Sequence, residues 1–160
     1  MSLTTLTEEA FQAEVEAAPP GTDVTINAEI AGGQVKFSTP VFVEGIEAFD
    51  SVIRVTKPSA SFNLQITLAT PGFTFQPGVP AILWATPPQR GYESNPFGTS
   101  PIFPSSSTVA VIPNTTGPKG SPKLTTQFAL VLVLVDSAND VEVAVRSVII
   151  DPTIIDDPNT

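Results

Sequence analysis

The chain has 160 residues, a formal net charge of −9, no cysteine and no histidine. Those two absences exclude disulfides, thiolate or imidazole metal sites, and Ser-His-Asp or Cys-His catalysis. So acidic a chain offers no cation cluster to displace phosphate counterions, which excludes nucleic acid as a partner.

The length is that of one domain, residues 1–160, able to bury a core without covalent staples. No run of eighteen apolar residues is present, so no membrane-spanning helix is expected. The opening Met1-Ser-Leu-Thr-Thr-Leu-Thr-Glu-Glu9 has neither the basic region nor the apolar core of a signal peptide. A cytoplasmic location is therefore expected, with signal-independent export as the other route. Nothing in the sequence requires a cofactor.

One short helix is expected, over residues 5–17. Thr5-Leu6-Thr7-Glu8 matches a capping box, in which the threonine oxygen accepts from a backbone N–H and the glutamate reaches back. Phe11, Val15 and Ala18 recur at helical spacing, and Pro19-Pro20-Gly21 stops the element. Such a helix would cap one end of the fold or serve as an arm on a neighbouring subunit.

From Asp23 the period becomes two. Val24, Ile26, Ala28 and Ile30 alternate with Asp23, Thr25, Asn27 and Glu29. Gly32-Gly33 turns into a strand over 34–43 that Thr39-Pro40 interrupts, which places it at an edge or gives it a bulge. A further strand is expected over 49–55. Ser61–Leu68 is the cleanest alternation, with Phe62, Leu64, Ile66 and Leu68 inward, and reads as a half-buried antiparallel strand. Phe73-Thr74-Phe75, Ala81–Trp84 and Thr108–Ile112 are shorter runs.

Phe128-Ala-Leu-Val-Leu-Val-Leu-Val135 is unbroken apolar sequence, and Asp136–Asp140 turns it into Val141–Ile150. A run of this kind is an aggregation hazard unless something covers both its faces. The cover is either the chain's own second sheet or another subunit. Asp151-Pro152 is expected to stop the pairing, leaving 151–160 as an extended tail. The sum is an all-β fold: an antiparallel Ig-like or jelly-roll-type β-sandwich of seven to nine strands with one short N-terminal helix.

Gly72-Phe73-Thr74-Phe75, followed later by an apolar hairpin running into Asp151-Pro152-Thr153-Ile154, resembles small uncharacterised bacterial β-sandwich proteins that end in an Asp-Pro-x-Ile tail. The similarity spans roughly residues 50–156 and implies a fold and a bacterial source, but no site.

Three stretches are candidates for function. The connection over 86–107 is long for a structureless loop, and loops of that length are often functional. With Trp84 before it, it carries Arg90, Tyr92 and Asn95, residue types suited to stacking and directed hydrogen bonds on a small or polyhydroxylated ligand. The plain reading is a covering loop. Asp136, Asp140 and Asp151, with Asp156 and Asp157 beyond, are candidates for calcium, although Asp and Asn also belong in turns for local reasons. Asn114-Thr115-Thr116 fits the glycosylation acceptor pattern. The third stretch is the apolar strand itself.

The expected function is a non-catalytic structural or protein-interaction module that self-associates. The alternative is a small-ligand or carbohydrate-binding module, with calcium as an optional aid. A third class is a hydrolase built on two carboxylates.

Overall fold

The computed structural model describes residues 21–84, 101–135, 144–150 and 152–158. The expected helix over 5–17, most of the 86–107 loop and the 136–140 turn lie outside the described residues. Among the described residues the fold is all-β, as expected, with eleven strands. They are β1 (Thr22–Ala31), β2 (Gln34–Ser38), β3 (Ile46–Phe49), β4 (Val52–Val55), β5 (Ser61–Leu68), β6 (Phe73–Thr74), β7 (Ile82–Trp84), β8 (Val109–Thr115), β9 (Leu124–Val135), β10 (Ala144–Ile150) and β11 (Thr153–Asp156).

The smaller sheet has the order β2-β1-β5-β8. The alternation read from β1 and β5 is the one observed: Val24, Ile26, Ala28, Phe62, Leu64 and Ile66 are buried, and their strand neighbours are not. The strand direction differs from expectation. β5 is antiparallel to β8 but parallel to β1, with Val24 opposite Leu64 and Ile26 opposite Ile66. Parallel neighbours need a long crossover. Here the segment between β1 and β5 supplies it, leaving β2 in the smaller sheet and β3 and β4 in the larger one. Hydrophobic alternation reports which face of a strand is buried and says nothing of its direction, so the expected antiparallel arrangement becomes two mixed sheets.

The strand count exceeds seven to nine because residues 153–156 form a strand of their own and because one expected strand is two. The stretch 49–55 folds as the end of a tight hairpin, with Phe49 opposite Val52 and Asp50 at φ 47° in the turn. Aspartate is one of the few side chains that tolerates the left-handed region. Gly45, at φ 89°, opens β3, and its carbonyl accepts from Thr56 N–H at 2.8 Å. A Cβ there would run into the Lys57 side chain.

β9 is the spine of the larger sheet. Leu130 faces Ile150 of β10 on one side and Ile82 of β7 on the other, so the strand is internal. Phe128, Leu130 and Leu132 have no exposed surface. Phe128 stacks on Phe37 of β2 at 6.4 Å, so this chain's smaller sheet covers that face of β9. On the opposite face Ala129 and Val133 are buried and Val131 is half-buried.

Asp151-Pro152 does not end the pairing. Ile150 lies opposite Leu130 and Thr153 lies opposite Gln127, so β10 and β11 share one register along β9. Between them the Phe128 N–H donates to the Pro152 carbonyl at 3.0 Å. Proline lacks a donor but keeps its acceptor, and the ladder uses it. Residues 153–156, expected in a tail, are instead a strand between β9 and β4, parallel to β4. Ile154 is fully buried. One apolar core takes residues from both sheets.

Candidate functional site

Of the ligand-binding residues expected from sequence, the structure places Trp84. It sits in β7, half-buried, with its ring edge-on to Phe128 at 5.6 Å and packed against the core. Arg90, Tyr92 and Asn95 lie outside the described residues, as do Asp136, Asp140 and Asp151 of the calcium candidates. Among the described residues no three acidic side chains converge in a way that could hold a metal ion.

The two remaining aspartates go to different sides of the larger sheet. Asp156 ends β11 opposite Val55 and turns into the core, 3% exposed. Its Oδ1 has no hydrogen-bond partner. Burial, and then the neighbouring Asp157, raises its carboxyl to about 6. Asp157 follows and bonds outward to Arg54, Oδ2 to Nη2 at 3.0 Å. Adjacent residues in extended chain point to opposite faces, so these two carboxylates do not share a cleft.

Asn114 is the second buried polar group, 1% exposed, with neither side-chain oxygen nor nitrogen partnered. Its burial removes it from reach of a glycosylating enzyme in the folded chain. It lies at the same end of the core as Asp156. Asn114 is opposite Phe62 near the start of β5, and Asp156 is opposite Val55 at the end of β4. The link from Val55 to Ser61 is pinned there by Thr116, whose Oγ1 accepts from Ala60 N–H at 2.9 Å and donates to the Lys57 carbonyl at 2.6 Å.

The third feature was not singled out in the sequence. Val41 is 70% exposed, Phe42 86% and Phe49 52%. Phe49 ends β3, the outer strand of the larger sheet, and Val41 and Phe42 lie in the segment joining β2 to β3. The segment joining β2 to β3 brackets that strand. At one end Phe37 N–H donates to the Asp50 carbonyl at 2.6 Å, and at the other Ile46 N–H donates to the Val43 carbonyl at 3.2 Å. Val41 and Phe42 are therefore carried along the edge where Phe49 emerges. Glu44, Glu47 and Asp50 are exposed around them. The available signal was the sequence Pro40-Val41-Phe42-Val43, three consecutive apolar residues behind a strand-breaking proline. A run of that kind cannot put every side chain on one face.

No protein-family model matches this chain, and no curated protein matches it.

Proposed function

We propose that the chain is a non-catalytic structural or protein-interaction module that associates with copies of itself, built as a β-sandwich of jelly-roll or Ig-like type. The observation that carries the reading is the exposure of Val41, Phe42 and Phe49 on one sheet edge. Large apolar side chains left in water cost free energy, and where they gather on a folded protein they mark an interaction site. The composition supports the non-catalytic part. With neither histidine nor cysteine, the commonest general base and the thiolate nucleophile are absent, and the carboxylates of Asp156 and Asp157 face apart. The sandwich is supported by the single core drawn from both sheets and by the Phe37–Phe128 stack between them.

Size-exclusion chromatography with light scattering over a wide concentration range tests this reading. The expected mass is a multiple of 16.8 kDa that falls on dilution. A strict monomer at the highest concentration would remove self-association.

A further inference from the structure

We infer that the end of the core holding Asn114 and Asp156 opens locally to water, and that the proton on Asp156 controls the opening. The end is shut in acid and opens more often as pH rises.

The position of the buried polar groups is the first ground. Among the described residues, the buried polar side chains are Asn114, Thr116, Thr126 and Asp156. Thr126 lies opposite Ile154, two residues before Asp156. Asn114 is near the end of β8, and Thr116 follows that strand and holds the 56–60 link. The four gather at one end, and the rest of the core is apolar. Asn114 Oδ1 and Nδ2 and Asp156 Oδ1 have no hydrogen-bond partner. A buried polar atom without a partner costs free energy that contact with water restores. Opening at this end hydrates such atoms while the apolar remainder stays closed.

Charge is the second ground. Asp156 turns inward between Val55 of β4 and Leu124 of β9. Arg54 of β4 turns the other way and pairs with Asp157. Lys57, on the link after β4, is about half exposed, with its Nζ 4.0 Å from Glu44. Lys123 before β9 and Glu47 of β3 are exposed, and β8 presents the uncharged Asn114. Among the described residues no lysine or arginine is buried. A carboxylate formed at Asp156 has no buried cation to pair with, and Asp157 repels it.

The third ground is how little holds the strand end. Asp156 is the last residue of β11. Beyond it, Asp157 N–H donates to the Val55 carbonyl at 2.8 Å, and its carboxylate meets Arg54 at 3.0 Å. Freeing residues 156–158 breaks these contacts and leaves the Phe37–Phe128 stack in place. The closed end holds the Asp156 proton up to about 6, against an ordinary 3.8 when open. Closure is therefore favoured fully below the lower value, and the advantage is lost as pH rises through the higher one. The open form stays a minor species, but its population grows roughly 50-fold from pH 4 to pH 7.5.

Native-state amide hydrogen exchange on the whole chain tests this, with rates corrected for intrinsic exchange at each pH. The Asp157 amide reports on the strand end, and Leu64 and Ile66, in β5 between two strands, report on the core. The expected result is an Asp157 opening that urea below the unfolding transition leaves unchanged, and that rises roughly 50-fold over this pH range. Asp156→Asn is expected to abolish the rise. Should that variant not fold, the wild-type series decides, since a rise that levels off above pH 6 supports the inference and a flat profile overturns it. An Asp157 amide that opens only together with Leu64 and Ile66 overturns local opening. A rise that persists in Asp156→Asn overturns control by Asp156.

Discussion

Asp156 shows how one residue can set the pH response of a small fold. Its carboxyl is 3% exposed with one oxygen unpartnered, and its pKa is raised to about 6 from an ordinary 3.8. A raised carboxyl means that the folded chain holds this proton longer than the unfolded one does. The contribution to stability is complete below the unfolded value, declines as pH rises from about 4 to 6, and is gone above it. At one pKa unit per 1.36 kcal/mol, the loss is on the order of 3 kcal/mol. Asp156→Asn cannot ionise. Urea unfolding at pH 7.5 is expected to find it more stable than wild type by up to about that amount, and at pH 3.5 to find the two nearly equal. Equal stability at both pH values would show that the carboxyl is not desolvated. Asn114 is a parallel case without a charge. Both its polar atoms are buried and unpartnered, so its amide has lost water and gained nothing. Asn114→Leu keeps roughly the volume and removes that cost. Chemical denaturation is expected to find it neutral to about 1 kcal/mol more stable.

The element that most changes the picture is β11. Proline commonly ends a strand, and the Asp151-Pro152 pair invites that reading. Here the register runs on past the proline. β10 and β11 hold the same register on β9, and the Pro152 carbonyl accepts the bond in between. Among the described residues β11 is also the only strand linking β9 to β4. Its inward residue Ile154 has no exposed surface, so Ile154→Ala is expected to cost about 2–5 kcal/mol in equilibrium unfolding. A residue on a peripheral tail would cost well under 1 kcal/mol, and that result would refute the docked strand. The β3–β4 hairpin carries the matching lesson about turns. Asp50 in the left-handed region lets a stretch that reads as one strand reverse on itself, and the reversal brings Phe49 out to the sheet edge.

Across the molecule, the two sheets are joined by one apolar core, in which Phe37 of β2 stacks on Phe128 of β9. The described strands should therefore unfold as one unit. Phe37→Ala and Phe128→Ala come from opposite sheets but share a contact. Their costs are expected to be non-additive by about 0.5–3 kcal/mol in a double-mutant cycle. Strict additivity would mean that the sheets do not lean on each other through this pair. The sequence alone established the all-β class, the inward residues of β1 and β5, and the apolar hairpin of β9 and β10. Each of these rests on local periodicity, because alternation of apolar and polar side chains is a property of consecutive residues. It also established the absence of histidine and cysteine chemistry, which no fold could supply. Strand direction was not legible, because the same alternation serves a parallel or an antiparallel neighbour. Neither was the unpartnered burial of Asn114 and Asp156, which depends on facing strands far apart in the chain. The exposed edge of Val41, Phe42 and Phe49 is of the same kind. Its residues are apolar, and sequence periodicity assigns apolar residues to a core. Only the order of strands, which puts β3 at the outside of its sheet, leaves them facing water.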